Sequence, residues 1–177
     1  AAQLGHIDIV QELIAAGAGL DAQDVNGWTP LMHACCRGHK MVVSAMLSAG
    51  AGVDIESHDG RTALHRAATW KRLWPLDQLI EAGGDVAHKA GNKWTPLHCA
   101  AAAGDANACA ILLDAGADPD AEDELGLKPV DVIADTSTAE TVTLTLNQLR
   151  LRATTRSTRP PAALPVTLDS LPPSASD

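Results

Sequence analysis

Apolar side chains along this chain fall in short helical stripes separated by glycine. Leu31, Ala34 and Cys35 share one face at helical spacing, and Gly38 stands where a left-handed residue would end that helix. Val42, Val43, Met46 and Leu47 form a second stripe, opened by His39 and closed by Gly50. Ahead of the first stripe, Thr29 is suited to cap a helix. Pro30 is suited to its first position, where a missing N–H costs nothing. Asp24-Val25-Asn26-Gly27 reads as a turn, with Gly27 able to take positive φ. The predicted unit, 24–56, is thus a turn, a helix, a loop, a second helix and a hairpin-like connection over 51–56 into the next turn. Neither helix is long enough to stand alone, so each must pack on a neighbour.

The unit returns every 33 residues. Thr29-Pro30-Leu31 recurs as Thr62-Ala63-Leu64 and Thr95-Pro96-Leu97, with an eroded copy at Lys128-Pro129-Val130. Gly17-Ala18, Gly50-Ala51, Gly83-Gly84 and Gly116-Ala117 keep the same phase. Two independent landmarks in register predict one supersecondary unit stacked into a solenoid, a form that offers extended surfaces rather than pockets.

The stretches GWTPLMHACCRGHKMVVSAML and NKWTPLHCAAAAGDANACAILL carry a resemblance. They are similar to the ankyrin repeat, with its Thr-Pro-Leu-His segment, Gly-His loop, apolar second helix and closing Gly-Ala. The resemblance covers about residues 1–150. It implies an all-α ankyrin-repeat solenoid of helix-turn-helix units with hairpin-like loops, whose inner helices line a concave groove. It also implies no cofactor and no catalysis. On this reading 1–152 is the array: a partial first unit 1–23, units 24–56, 57–89 and 90–122, and a degenerate C-terminal cap 123–152. Met32 stands where the family has a bracing histidine, kept at His65 and His98, so the second unit is expected to lack that brace. Lys93 stands where Gly27 and Gly60 stand, which predicts an altered turn. Lys71-Arg72 replaces the Gly-His loop, and Pro75 falls in the second helix of its unit. Proline is tolerated in the first turn, so that helix is expected to start near Pro75, leaving 70–74 as an irregular bulge.

Ala1 aligns with Ala34, in the middle of a helix. The expectation is a fragment continuous with upstream repeats, its open edge formed by Leu4, Ile9, Val10 and Leu13. At the other end, Ser137-x-x-Glu140 is a capping-box signature ahead of Val142, Leu146 and Leu149. It predicts a closing helix to about Arg152, although Thr143-Leu144-Thr145-Leu146 alternates as a strand would. Residues 153–177, rich in Pro, Ser, Thr and Ala, are expected to be a disordered tail. Arg150-x-Arg152-x-x-Thr155 resembles a basophilic kinase target, a short match that is common by chance.

Composition narrows the function. The chain has 177 residues and a net charge of −9, which argues against wholesale binding to nucleic acid or an anionic membrane. No apolar run approaches the ~20 residues that span a bilayer. Cys35, Cys36, Cys99 and Cys109 make no CxxC pair and read as reduced core thiols, which suggests the cytoplasm or the nucleus. Asp118-x-Asp120-x-Glu122 fails as a calcium loop, because Asp123 sits where glycine is needed and Pro129 where the bidentate glutamate is needed. His33 and Cys36 on one helical turn do not make a zinc site. No metal or other cofactor is expected, and no enzyme activity.

The candidate partner-binding residues are Trp28, Arg37, Arg61, Arg66, Trp70 and Trp94. Tryptophan at an exposed edge is costly unless covered, and it is enriched at binding hot spots. The arginines, with Lys71 and Arg72, read either as a solvated face or as a docking patch for an acidic peptide. The expected function is binding of a protein or peptide partner through the concave groove and hairpin tips. The alternative is a non-catalytic regulatory or targeting segment of a larger enzyme, channel or ubiquitin-system protein.

Overall fold

The computed structural model describes residues 1–133 and, beyond them, residues 140, 143, 144, 147, 148 and 151. Seven α-helices occur over residues 1–133, and no strand among the described residues: α1 (Ile7–Ala15), α2 (Pro30–Arg37), α3 (Lys40–Ser48), α4 (Ala63–Thr69), α5 (Leu73–Glu81), α6 (Pro96–Ala102) and α7 (Ala106–Asp114). One 3-10 turn, Ala2–Leu4, precedes them and another, Pro129–Val132, follows. The described residues from 140 to 151 are all helical. The rest of the expected closing helix, the tail 153–177 and the kinase-like motif lie outside the described residues.

The helices stack in two rows. The inner row runs from the Ala2–Leu4 turn through α2, α4 and α6 to the Pro129–Val132 turn, and the outer row is α1, α3, α5 and α7. Leu31, Leu64 and Leu97 fill the inner row, and Ala34, Ala67 and Ala100 stand one turn further along, all fully buried. Small alanines let neighbouring inner helices approach closely, while Val42, Val43, Met46, Leu76, Leu79 and Leu112 fill the space behind them. The turns form a third row, joined by a backbone hydrogen bond at each step: His58 N–H to Asn26 O (3.1 Å), Gly91 N–H to Asp59 O (3.1 Å) and Glu124 N–H to Asn92 O (3.2 Å). Gly60 is required there, because a Cβ would come within 2.7 Å of the Gly91 nitrogen.

Several local expectations change. Lys93 does not alter its turn: it takes φ 59° and closes the same bond to Ala90 O (2.7 Å) that Gly60 makes to Ser57 O (2.8 Å). Lys71 likewise takes the left-handed conformation, φ 53°, in the place of Gly38. The expected bulge over 70–74 shrinks to 70–72, since α5 begins at Leu73 and already contains Trp74. Pro75 is its third residue, inside the first turn, where no intrahelical N–H is needed. Val10, expected on the open N-terminal edge, is buried, because it shares with Ile7 and Ile14 the stripe of α1 that packs on the core; Leu4, Ile9 and Leu13 are exposed.

Candidate functional site

The groove is shaped by braces between each inner helix and the next turn. His65 Nδ1 accepts the N–H of Thr62 (3.3 Å), which leaves the ring proton on Nε2 to donate to Trp94 O (2.9 Å). His98 repeats this with Thr95 (3.2 Å) and Leu127 O (3.1 Å). Burial pushes the His65 imidazolium out of favour, lowering its pKa to about 4, and burial lowers that of His98 too. Both rings are therefore neutral struts. Met32, buried and without a ring nitrogen, gives the second unit no such strut.

Ser57, Asp59 and Arg66 fill that gap. The carbonyl that a histidine at position 32 would reach, Arg61 O, accepts the N–H of Ser57 (2.9 Å) and lies 2.8 Å from Ser57 Oγ. The Ser57 hydroxyl is also 2.6 Å from Asp59 Oδ1, so its proton serves one acceptor at a time. Arg66 NH2 donates to Ser57 Oγ (3.0 Å) and Asp59 Oδ1 (2.7 Å). Burial raises the Asp59 pKa, but the Ser57 hydrogen bond, Arg66 and Arg61 outweigh it and hold the carboxyl below its usual range.

This network supports Trp28. Arg66 and His33 occupy the same position in adjacent units and flank the indole, the guanidinium carbon 4.2 Å and the His33 ring 5.1 Å from its ring centre. By sequence Arg66 is a surface charge, part of a solvated face or of a docking patch; the structure buries it, 8% exposed, because Asp59 and Ser57 reach it from the preceding turn. The signal available was Asp59 seven residues before it. Trp94 is half-buried, stacked on His98 (6.1 Å) with Arg61 5.9 Å from its ring, and its indole N–H donates to Asp123 Oδ2 (3.1 Å). Arg61 also lies 3.6 Å from Asp59 Oδ2.

Trp70 differs from the other tryptophans. It caps the C-terminus of α4 and is 55% exposed. Arg37 holds the same position one unit earlier, at the end of α2, and is also exposed. Arg72, next to the α5 start, reaches back to Cys36 O (3.4 Å), as His39 reaches back to Gln3 O (3.0 Å) one unit before. Trp28, His33, Cys36, Arg37, Trp70 and Arg72 line a common open cleft of about 330 Å³. Of the six predicted residues, Trp28, Arg37 and Trp70 thus meet in one place, Arg66 supports Trp28, and Arg61 and Trp94 lie one unit further along. Among the described residues no cluster of three metal-ligating side chains forms, and no helix is long and apolar enough to cross a membrane.

A model for ankyrin repeats in three copies matches residues 1–90, and a single ankyrin-repeat model matches residues 92–124. The chain belongs to the ankyrin-repeat family. No curated protein matches it. Ankyrin repeats generally serve protein–protein interaction and are typically non-catalytic, in keeping with a site built from a groove, stacked turns and neutral structural histidines.

Proposed function

We propose that this ankyrin array is a non-catalytic recognition module for a protein or peptide partner, bound along the concave groove and hairpin tips. Trp28, Arg37, Arg61, Trp70 and Trp94 are its contacts, and Arg66 holds Trp28 in place. The observation that carries the reading is Trp70, a large apolar ring left more than half exposed in a concave cleft beside a second, pre-positioned tryptophan. The buried, unpaired thiols of all four cysteines suit a reducing compartment, the cytoplasm or the nucleus.

Affinity capture with the wild-type array and with Trp28→Ala/Trp70→Ala tests it. A partner held by the wild type and lost by the double variant, with helicity unchanged, supports groove recognition. A partner retained equally by both counts against it.

A further inference from the structure

The cleft beside Trp70 also carries charge that the molecule itself does not neutralise. Arg61 and Arg66 share Asp59, and Asp24 is engaged by His33 (2.9 Å) and by the N–H groups of Trp28 and Asn26. Arg37 and Arg72 have no carboxylate within ion-pair distance among the described residues, and exposed Lys71 precedes Arg72 in the chain. Among the described residues, the Arg72 guanidinium makes one long hydrogen bond, through Nε to Cys36 O. In a chain with 22 acids against 13 bases, two unmatched guanidiniums lining one cleft are a local inversion of the surface charge.

Uncovered aromatic surface and uncompensated positive charge thus coincide. A free anion would match the arginines and leave Trp70 in water. A wholly apolar segment would cover Trp70 and strip water from the guanidiniums without replacing it, a desolvation cost with no return. A carboxylate next to a bulky apolar side chain answers both. About 330 Å³ is the scale of a small-ligand cleft, so it takes a few side chains of an extended segment rather than a folded surface.

Resting on the reading of the groove as a recognition surface, we propose that this cleft binds an acidic peptide segment of a partner protein. An Asp or Glu carboxylate sits against Arg37 and Arg72, and a neighbouring apolar side chain sits against Trp28 and Trp70. The arginines select charge and speed encounter, while the indoles supply the slow-dissociating anchor.

The test is panning of a phage-displayed random dodecapeptide library on the purified chain. The enriched peptides are then synthesised and titrated against wild type, Arg37→Glu, Arg72→Glu, Trp70→Ala and Lys89→Glu, each checked for helicity. The expected result is enrichment of Asp or Glu beside a large apolar residue. Either arginine reversal and Trp70→Ala then weaken binding at least about tenfold. Lys89→Glu, an equal change in net charge outside the cleft, leaves binding within about twofold. Arg72→Gln, a milder change, gives an intermediate loss. Peptides without acidic enrichment, lost with Trp70→Ala but indifferent to Arg37 and Arg72, overturn the acidic partner and leave the groove reading standing. Peptides indifferent to Trp70 and to both arginines overturn both readings. Failure to enrich any peptide overturns the acidic-segment proposal and leaves the groove to the capture experiment. Arg-dependent binding of inorganic phosphate alone, unaffected by Trp70→Ala, reassigns the cleft to a phosphate-bearing ligand and overturns it as well.

Discussion

Arg66→Ala should unseat the middle of the groove although the residue carries a charge that a surface reading would discard. Its guanidinium is buried, bonded to Ser57 Oγ at 3.0 Å and Asp59 Oδ1 at 2.7 Å, and stacked 4.2 Å from the centre of Trp28. A hydrogen bond to a charged group contributes about 1.5–3 kcal/mol net. Asp59 is half exposed, so screening by water places its share at the low end. The cation–π contact adds about 0.5–1 kcal/mol, and the buried aliphatic stem about 1 kcal/mol. Asp59 keeps Ser57 and Arg61 as partners, so the deletion strands no carboxylate. The expected loss is about 3 kcal/mol, read as a lower urea midpoint at unchanged slope. Double-mutant cycles with Asp59→Ala and with Trp28→Ala should each return a coupling of about 1 kcal/mol. A loss under about 0.5 kcal/mol, the range of ordinary surface substitutions, would refute the structural role of Arg66.

Three further outcomes follow from the braces, turns and core. Neutral His65, with its pKa lowered to about 4 from 6.5, takes up a proton more readily in the unfolded chain, so stability is full above about pH 6.5 and declines as pH falls from there to about 4. The decline from this group is about 3 kcal/mol, His98 adds to it in the same sense, and the depressed carboxyls of Asp24, Asp59 and Asp123 act only at lower pH. Denaturation curves across that window should show the slope in wild type and a shallower one in His65→Gln; equal slopes would contradict the assignment. Lys71→Gly and Lys93→Gly relieve left-handed lysines at φ 53° and 59°, and each should raise stability by about 0.5–1 kcal/mol after glycine's own entropic cost; a lower urea midpoint in both would refute this. Burial raises the thiol pKa of Cys36 to about 11 and of Cys109 to about 12, and raises those of Cys35 and Cys99. Iodoacetamide at pH 8 should therefore label the folded chain far more slowly than the unfolded one, and equal rates would refute the burial.

The 33-residue period, the Thr caps and the Leu-Ala inner faces were legible because each is a local pattern repeated in phase, whereas the histidine braces were implied by the resemblance to the ankyrin repeat. What escaped depends on neighbours in space or on tolerance of strain. Lysine at a glycine position reads as a broken turn, yet the stacked turns on either side hold Lys93 in the left-handed region. Pro75 sets only the latest point at which its helix can begin, and two residues precede it in the first turn. Arg66 reads as solvated until Asp59 and Ser57 are placed against it, a pairing that no single-helix spacing announces. Within the groove, the tryptophan positions could be read from the repeat register, whereas the contrast between supported Trp28 and uncovered Trp70 could not.

The most direct test of recognition through the concave face is a paired titration of a captured partner against Trp70→Ala, in the groove, and Met41→Ala, exposed on outer helix α3. Recognition through the groove predicts a loss of about 2 kcal/mol, roughly thirtyfold, for Trp70→Ala and no change for Met41→Ala, with both variants as helical as wild type. Full binding by Trp70→Ala together with loss by Met41→Ala would contradict it.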